Sequence, residues 1–415
     1  MIKLKSDDPS EREQVRRQLR RVRQMPIDDL PITRPLELLR PPYAGYVMEY
    51  LNGMVPLSKL RFPPRGDIKN WYQETGSLKR RLLILAKCAD ILFKLQSKGL
   101  IYGDLSLNNV FVSESTKHTQ VYLIDIDNLS YETDHSRPIT YTPFYGAPEL
   151  VRKECGIDSI TDAYSFAVIA FEVLTLVHPL IGDWVDNGDP NLESKALAGE
   201  LPWAFHLTDK RNATSRTGLK EITLSKGLFS LFNNVFDDGM LERDKRPGIV
   251  EWVNALYKAY QFVLTCPRCK GSYYIDQEKC PWCQANKPDY WAIIVDFDTL
   301  IDDSDYRIKK TLTGYCLEYR TPIVLTRRNI MDDKGENADK PIMEIETDGK
   351  RVFVRCFDED DYWAIATDSS EQNNNEYSRK ERIGSAKKGY SSNWQFHLGQ
   401  LDRPHYIIRI STGSK

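Results

Sequence analysis

Net charge is nearly absent from this 415-residue chain: 57 lysines and arginines stand against 59 aspartates and glutamates, a formal −2 at pH 7. Bulk electrostatics therefore provide neither a nucleic-acid footprint nor an anionic-membrane one, and any such contact would have to be local. An apolar leader is also missing. The opening "MIKLKSDDPSEREQ" is charged from its third residue, so no secretory signal is read and a cytoplasmic location is the expectation. The longest apolar segment, "AYSFAVIAFEVLTLV" over 163–177, contains Glu172 and falls short of the ~20 residues that a membrane span needs. A buried core helix is expected there, and no membrane partner. No repeat of fixed period is visible. Cysteine is scarce, eight in all, and four of these form a paired cluster at 266, 269, 280 and 283 while 88, 155, 316 and 356 are scattered. Without a leader, metal binding explains the cluster better than disulfides do, and buried thiols explain the others.

What is present is enough apolar content, 41%, to build ordinary cores in two or three domains. From Ser77 to Leu95, "SLKRRLLILAKCADILFKL" spaces its apolar residues three and four apart, with Gly99 following as a stop, which predicts a helix. "NVFVSESTKHTQVYLIDID" predicts two short strands around a polar turn, with Asn109 just before the first and Asp125 at the end of the second. Residues 160–178 predict the buried helix, and "RPGIVEWVNALYKAYQFVL" predicts another, opened by Pro247 in its first turn. Residues 61–262 are thus expected to be mainly helical. At "TCPRCKGSYYIDQEKCPWC" the pattern changes to cysteine knuckles and aromatics, which marks a domain boundary. Beyond residue 290, alternating runs such as "YWAIIVDF", "PIMEIET", "KRVFVRCF" and "HYIIRIS" predict a β-sandwich or small barrel. "SSEQNNNEYSRKERIGSAKKGYSS" is polar and biased enough to be a mobile loop.

Phosphoryl transfer asks little covalent chemistry of a protein. It needs a carboxylate to orient the attacking hydroxyl, and acidic or amide oxygens to hold Mg²⁺ on the phosphates. Asp104, Asn109 and Asp125 supply those groups, in the order D-x-x-x-x-N followed by an apolar strand ending in Asp. Four more stretches stand around them in order: "VMEYLNG" (47–53), "GAPEL" (146–150), "TDAYSFAVIAFEVL" and "DKRPGIVEW". Together these resemble the protein-kinase superfamily, whose catalytic loop, hinge, A-P-E motif and D-x-W-S-x-G helix they are similar to. The resemblance implies an α+β, kinase-like fold and dependence on ATP and Mg²⁺. It makes Asp104 the catalytic aspartate and Asn109 and Asp125 the magnesium ligands. Asp127 is a second candidate that points the same way if "IDIDN" is extended. It places Met48 at the gatekeeper position with the backbone of Glu49, Tyr50 and Leu51 facing adenine, pairs Glu149 with Arg246, and has Asp162 brace the catalytic loop.

Departures from the family pattern decide how much function carries over. Tyr102 and Gly103 stand where His-Arg usually precedes the aspartate, so no arginine meets a phosphorylated activation loop and that form of switching is not expected. Ser106 replaces the usual lysine. The loop G-D-L-S-x-x-N is nevertheless similar to that of RIO-type atypical kinases. Bacterial kinases encoded beside a metal-dependent protein phosphatase and a von Willebrand A-like protein also lack that lysine, so its loss does not mean loss of activity. A protein substrate is implied, and such a phosphatase or von Willebrand A-like protein is a partner by the same resemblance. Ile126 and Asp127 replace the Phe-Gly that normally follows the metal-binding aspartate.

The first 60 residues resemble only part of a kinase N-lobe. "MIKLKSDDPSEREQVRRQLRRVRQM" is similar to the end of the lysine-bearing strand followed by helix C, which makes Lys3 the phosphate-contacting lysine and Glu11 or Glu13 its partner. The alternative is a solvated basic helix capped within "SDDPSE". No G-x-G-x-x-G precedes the hinge. The expectation is that a longer reading frame or another chain completes the lobe, and that this chain alone binds nucleotide weakly. "CPRC" and "CPWC", ten residues apart, suit tetrahedral S₄ coordination of a structural Zn²⁺ by Cys266, Cys269, Cys280 and Cys283. The expected organisation is a partial N-lobe and hinge at 1–60, a C-lobe at 61–262, a zinc ribbon at 263–290 and a β-rich docking or interaction domain at 291–415. An ATP-dependent serine/threonine protein kinase is the first reading. The rivals are a pseudokinase scaffold that binds partners through the ribbon and β-domain, and a small-molecule phosphotransferase.

Overall fold

The first strand, β1 (Ile2–Ser6), is the edge of a small antiparallel sheet in the computed structural model, ordered β1–β3–β2 with β2 at Glu37–Leu38 and β3 at Ala44–Val47. Helix α1 (Arg12–Arg23) lies on that sheet because its apolar residues recur at helical spacing: Val15, Leu19 and Val22 turn inward, and Leu19 packs with Tyr46 and Met48. Its N-cap is Glu11, the last residue of "SDDPSE", which makes no side-chain cap bond. Described residues are 1–6, 8, 11–64, 66–134, 139–216, 219–300, 307–319, 321–331, 337, 339–357, 364–368, 388–390, 394–398 and 403–412. They fall into two units, Met1–Tyr260 and Gln261–Lys415.

In the first unit, β4 (Met54–Pro56), β5 (Val110–Ser113) and β6 (Val121–Leu123) form a second small sheet ordered β4–β5–β6. It sits beside α2 (Ser77–Ser97), the helix expected from the spacing in "SLKRRLLILAKC", which buries Leu82, Leu85, Ala89 and Leu92. Helix α3 (Ser159–Thr175) is buried along nearly its whole length, and its start is fixed by a capping box between Asp158 and Thr161. Rings close around Phe171, which meets Trp203 and Phe232 edge-on at 5.7 and 5.1 Å between ring centres. The "RPGIVEW" segment gives α4 (Ile249–Gln261).

The second unit opens with a two-stranded ribbon, β7 (Val263–Thr265) against β8 (Ser272–Tyr274). Two antiparallel sheets follow. One has five strands, with Trp291–Leu300 between Arg307–Leu317 and His405–Thr412, then Trp394–Leu398 and Ala364–Asp368; the other runs Ile323–Thr326, Pro341–Thr347, Val352–Cys356, Lys388–Tyr390. Ile293, Val295, Phe396 and Ile408 of the first sheet share one core with Leu325, Met343, Ile345 and Val354 of the second, the arrangement of a sandwich. The polar stretch 369–392, expected to be a mobile loop, lies outside the described residues except for Lys388–Tyr390, which pairs as a strand with Val352–Val354.

Candidate active site

The loop "YGDLSLNN" between α2 and β5 is held from beneath. Asp162, in the first turn of α3 and buried, accepts the backbone N–H of Tyr102 at 2.7 Å and of Gly103 at 2.9 Å, one on each oxygen. Gly103 has φ +84°, and a Cβ there would lie 3.3 Å from the Asn128 carbonyl, so glycine permits both the turn and the close approach. The Tyr102 hydroxyl donates to the Ile124 carbonyl. Burial pushes its ionisation well up, and the carboxylates of Asp125, Asp104 and Asp162 add to that, so Tyr102 stays a neutral donor. These bonds set the two residues that follow. Asn109 donates its side-chain N–H to the backbone carbonyl of Asp104 at 2.8 Å, and Asp104 Oδ1 accepts the Thr142 hydroxyl at 2.6 Å.

Asp125, expected at the end of the strand, lies two residues past β6, in a left-handed conformation, φ 57° and ψ 54°, an unfavourable backbone for a residue with a Cβ and of the kind that clusters at functional sites. Two ammonium groups meet its Oδ1: Lys3 Nζ at 2.7 Å and Lys5 Nζ at 2.5 Å. Lys5 also pairs with Asp127. Burial alone would raise the Asp125 pKa, but the bonds from Lys3 and Lys5 outweigh it and hold the carboxyl below its usual value. Lys5 itself is pulled down, mainly by burial, with the like charge of Lys3 opposing its pairing with Asp125. The pairing of β1 with β3 slips between Leu4 and Ser6, so Lys5 occupies a bulge, a device that re-aims side chains. Gly45 allows the approach, since a Cβ there would stand 2.2 Å from the Lys3 carbonyl.

The structure thus joins Lys3 to Asp125, links Asp125 to Asp127 through Lys5, and separately ties Asn109 to Asp104. Of the partners named for Lys3, Glu13 lies 3.6 Å from Arg20, and Lys3 meets Asp125. "IDIDN" is not extended, because residues 126–128 form a 3₁₀ turn after the left-handed Asp125. Met48 is buried at the end of the β1–β3 pairing, its N–H and C=O bonded to Met1, whereas Tyr50 is exposed. Among the described residues none of Met48, Glu49, Tyr50 and Leu51 bonds to Asp104, Asn109 or Asp125. Glu149 and Arg246 form a buried two-pronged pair, both bonds 2.7 Å. Lys5 and Thr142 were not singled out from the sequence. The available signals were the K-x-K alternation on one strand and a hydroxyl seven residues before Glu149.

In the second unit the four cysteine sulfurs lie within 4.8 Å of one another, with Cys266–Cys283 and Cys269–Cys280 each 3.6 Å apart. Bonds of ~2.3 Å to a central zinc imply sulfur separations of ~3.8 Å, so the group fits a tetrahedral S₄ site. Both knuckles are turned alike: Lys270 N–H bonds back to Cys266 and Gln284 N–H to Cys280, with φ of 63° and 61° at Lys270 and Gln284. Burial opposes ionisation of Cys266, but the N–H groups of Cys269 and Arg268 outweigh it and bring the thiol down to about 7.

Sequence comparison carries the same message for part of the chain. Over 161 residues it is 30% identical to a protein kinase C delta type homolog of Drosophila melanogaster, a match covering 38% of this chain and 21% of the relative. Serine/threonine-protein kinase pkn2 of Myxococcus xanthus is 32% identical over 130 residues, 30% of this chain and 15% of the relative. These matches support the protein-kinase superfamily. A WNK8 serine/threonine-protein kinase of Oryza sativa subsp. japonica adds 29% identity over 119 residues, 29% of this chain and 18% of that kinase. The chain spans about a fifth or less of the length of these kinases, 21, 15 and 18%. No family model matches the chain. Among the described residues no helix is long and apolar enough to cross a membrane.

Proposed function

We propose that the unit Met1–Tyr260 is an ATP- and Mg²⁺-dependent serine/threonine protein kinase of the atypical bacterial type, acting on a protein hydroxyl. The observation that carries this reading is the Asp162-braced loop: it fixes Asp104 beside Thr142 and ties Asn109 to the Asp104 backbone, while two lysines from β1 converge on Asp125. Asp104 orients the substrate hydroxyl and accepts its proton as the oxygen attacks the γ-phosphorus and the bond to the β–γ bridging oxygen breaks, releasing ADP. The Thr142 hydroxyl holds one oxygen of that carboxylate and leaves the other for the substrate. Asn109 and Asp125 are the residues that would hold magnesium, which supplies charge neutralisation on the phosphate oxygens. Lys3 offers the phosphates a cation in a chain whose loop has Ser106 in place of lysine. The four cysteines hold a structural zinc in the second unit, separate from this chemistry.

The convergence of both lysines on Asp125 also favours a second reading, a pseudokinase scaffold in which ammonium groups occupy the metal's place. Asp104→Asn separates the two, because it keeps shape and removes charge. With γ-labelled ATP, Mg²⁺ and a mixed serine/threonine peptide library, the kinase reading expects the variant to lose about 10²–10⁴-fold in transfer with unchanged far-ultraviolet dichroism. Equal labelling by both proteins would remove Asp104 from catalysis. No labelling by either, with no binding of Mg²⁺–ATP in calorimetry, would leave the scaffold.

A further inference from the structure

Asp127 follows Asp125 by two positions, and in an extended strand both carboxylates would serve one metal. The left-handed Asp125 and the 3₁₀ turn after it break that alternation. Asp127 meets Lys5 instead, whose Nζ bridges Asp127 Oδ2 and Asp125 Oδ1. The other Asp127 oxygen, Oδ1, is buried without a hydrogen-bond partner among the described residues, so Lys5 is that side chain's compensation. Lys5 and Asp127 together line a cavity of about 730 Å³ against Gln14 and Gln18 of α1, a cavity that Asp104, Asn109 and Asp125 do not line. Gln18 fixes the far side by donating to the Asp127 carbonyl at 2.9 Å. Lys3, by contrast, pairs among the described residues with Asp125 alone, at 2.7 Å.

A divalent cation arriving at Asp125 brings further positive charge to a carboxylate that already holds two ammonium groups on Oδ1, and the repulsion favours release of one of them. The two lysines are not equivalent in that exchange. Among the described residues, Lys5 keeps a partner when it releases Asp125, and Lys3 keeps none.

We propose that Asp127 is a positioning residue rather than a metal ligand: it holds Lys5 away from Asp125 when a metal–nucleotide binds, so that Asp125 is free for the metal and Lys3 for the phosphates. The proposal rests on the phosphotransfer reading above. Without the Asp127 charge, Lys5 leans wholly on Asp125 and competes with the metal. Without Lys5 the one ammonium group left on Asp125 among the described residues is Lys3, which makes no pair with Asp127, and Asp127 no longer matters to the metal.

A double-mutant cycle reads this out without any turnover. Mn²⁺ with a non-hydrolysable ATP analogue is titrated into the full chain, followed by electron paramagnetic resonance and calorimetry, for wild type, Asp127→Asn, Lys5→Met and the double variant. Asp127→Glu tests rescue, Lys5→Gln replaces Lys5→Met if the latter fails to fold, and dichroism checks each protein. The expected result is a loss of about tenfold in affinity for Asp127→Asn, recovery in Asp127→Glu, and no loss from Asp127→Asn in the Lys5→Met background. An equal loss in both backgrounds makes Asp127 a metal ligand and overturns the proposal alone. No loss in either background also overturns it. A wild-type chain that does not bind the Mn²⁺–nucleotide overturns both the proposal and the nucleotide-binding reading beneath it.

Discussion

A carboxylate that is 4% exposed, as Glu149 is, is tolerable only with a cation in good geometry, and Arg246 supplies one. It donates twice to Glu149, gives its third bond to the Gly239 carbonyl at 2.6 Å, and lies over the Tyr164 ring. Burial would raise the Glu149 pKa, but the Arg246 bonds and charge outweigh it and hold it below the usual glutamate value. A folded pKa below the unfolded one means that the pair's contribution is complete above about pH 4.3, the unfolded value, and is lost as pH falls through the folded value. Glu149→Gln is therefore expected to cost about 3–5 kcal/mol at pH 7, because it strands a buried guanidinium. The gap between variant and wild type should narrow near pH 3. Denaturant titrations at both pH values measure it, and a loss independent of pH would remove the ion pair as its cause. At this scale the pairing was legible because an A-P-E glutamate and a later arginine stand in a known order. Lys5 was not, because its role depends on a bulge, and a bulge leaves no mark in the alternation of residues.

An element can serve a site without lending it a reacting group. Helix α3 is buried on every side, so its apolar run marked it plainly, and so did the three- and four-residue spacing of α2. The resemblance had Asp162 brace the catalytic loop; helical periodicity alone did not, since an acidic residue in a first helical turn has an ordinary reason to be there, and the structure adds that its two oxygens take the N–H groups of Tyr102 and Gly103. The two uses predict different behaviour. Asp162→Asn keeps the helix but offers one acceptor where two are needed, and turns an amide N–H toward a backbone N–H. The expected outcome is faster hydrogen exchange at the Tyr102 and Gly103 amides, with α2 and α3 unchanged, and phosphate transfer reduced along with it. Protection equal to wild type at those amides would leave Asp162 as a helix-dipole residue only. The left-handed Asp125 belongs to the same scale: "IDIDN" reads as strand from composition, and only the packing of Ile126, fully buried, turns it into a 3₁₀ corner.

For the whole molecule, the change of sequence texture at "TCPRC" falls within a few residues of where the two units part, at Tyr260 and Gln261. Within the second unit the ribbon is joined to the β-sandwich by the Thr265 amide, which donates to the Glu318 carboxylate, and just before the ribbon the Thr313 hydroxyl donates to the Gln261 side chain at 2.7 Å. Cysteine spacing in sequence announces a ribbon but not the sheet it leans on, because those bonds join residues about fifty positions apart, and that distance carries no local signal. The ribbon's own apolar centre is small, Tyr273 with Cys266 and Cys280 and with Trp282 packed against them, too little to fold by burial alone. With the proposed zinc bound, metal binding would supply its stability. Mass spectrometry of the intact chain should find about one zinc per molecule, lost when Cys266 and Cys283 are both changed to Ser because two thiolates cannot complete the tetrahedron. Chelation should raise hydrogen exchange across residues 263–285, while α2, whose leucines lie in the core of the other unit, keeps its protection. A wild-type ribbon that is metal-free and still protected would show that the four sulfurs are held by the fold itself, and the zinc assignment would fall.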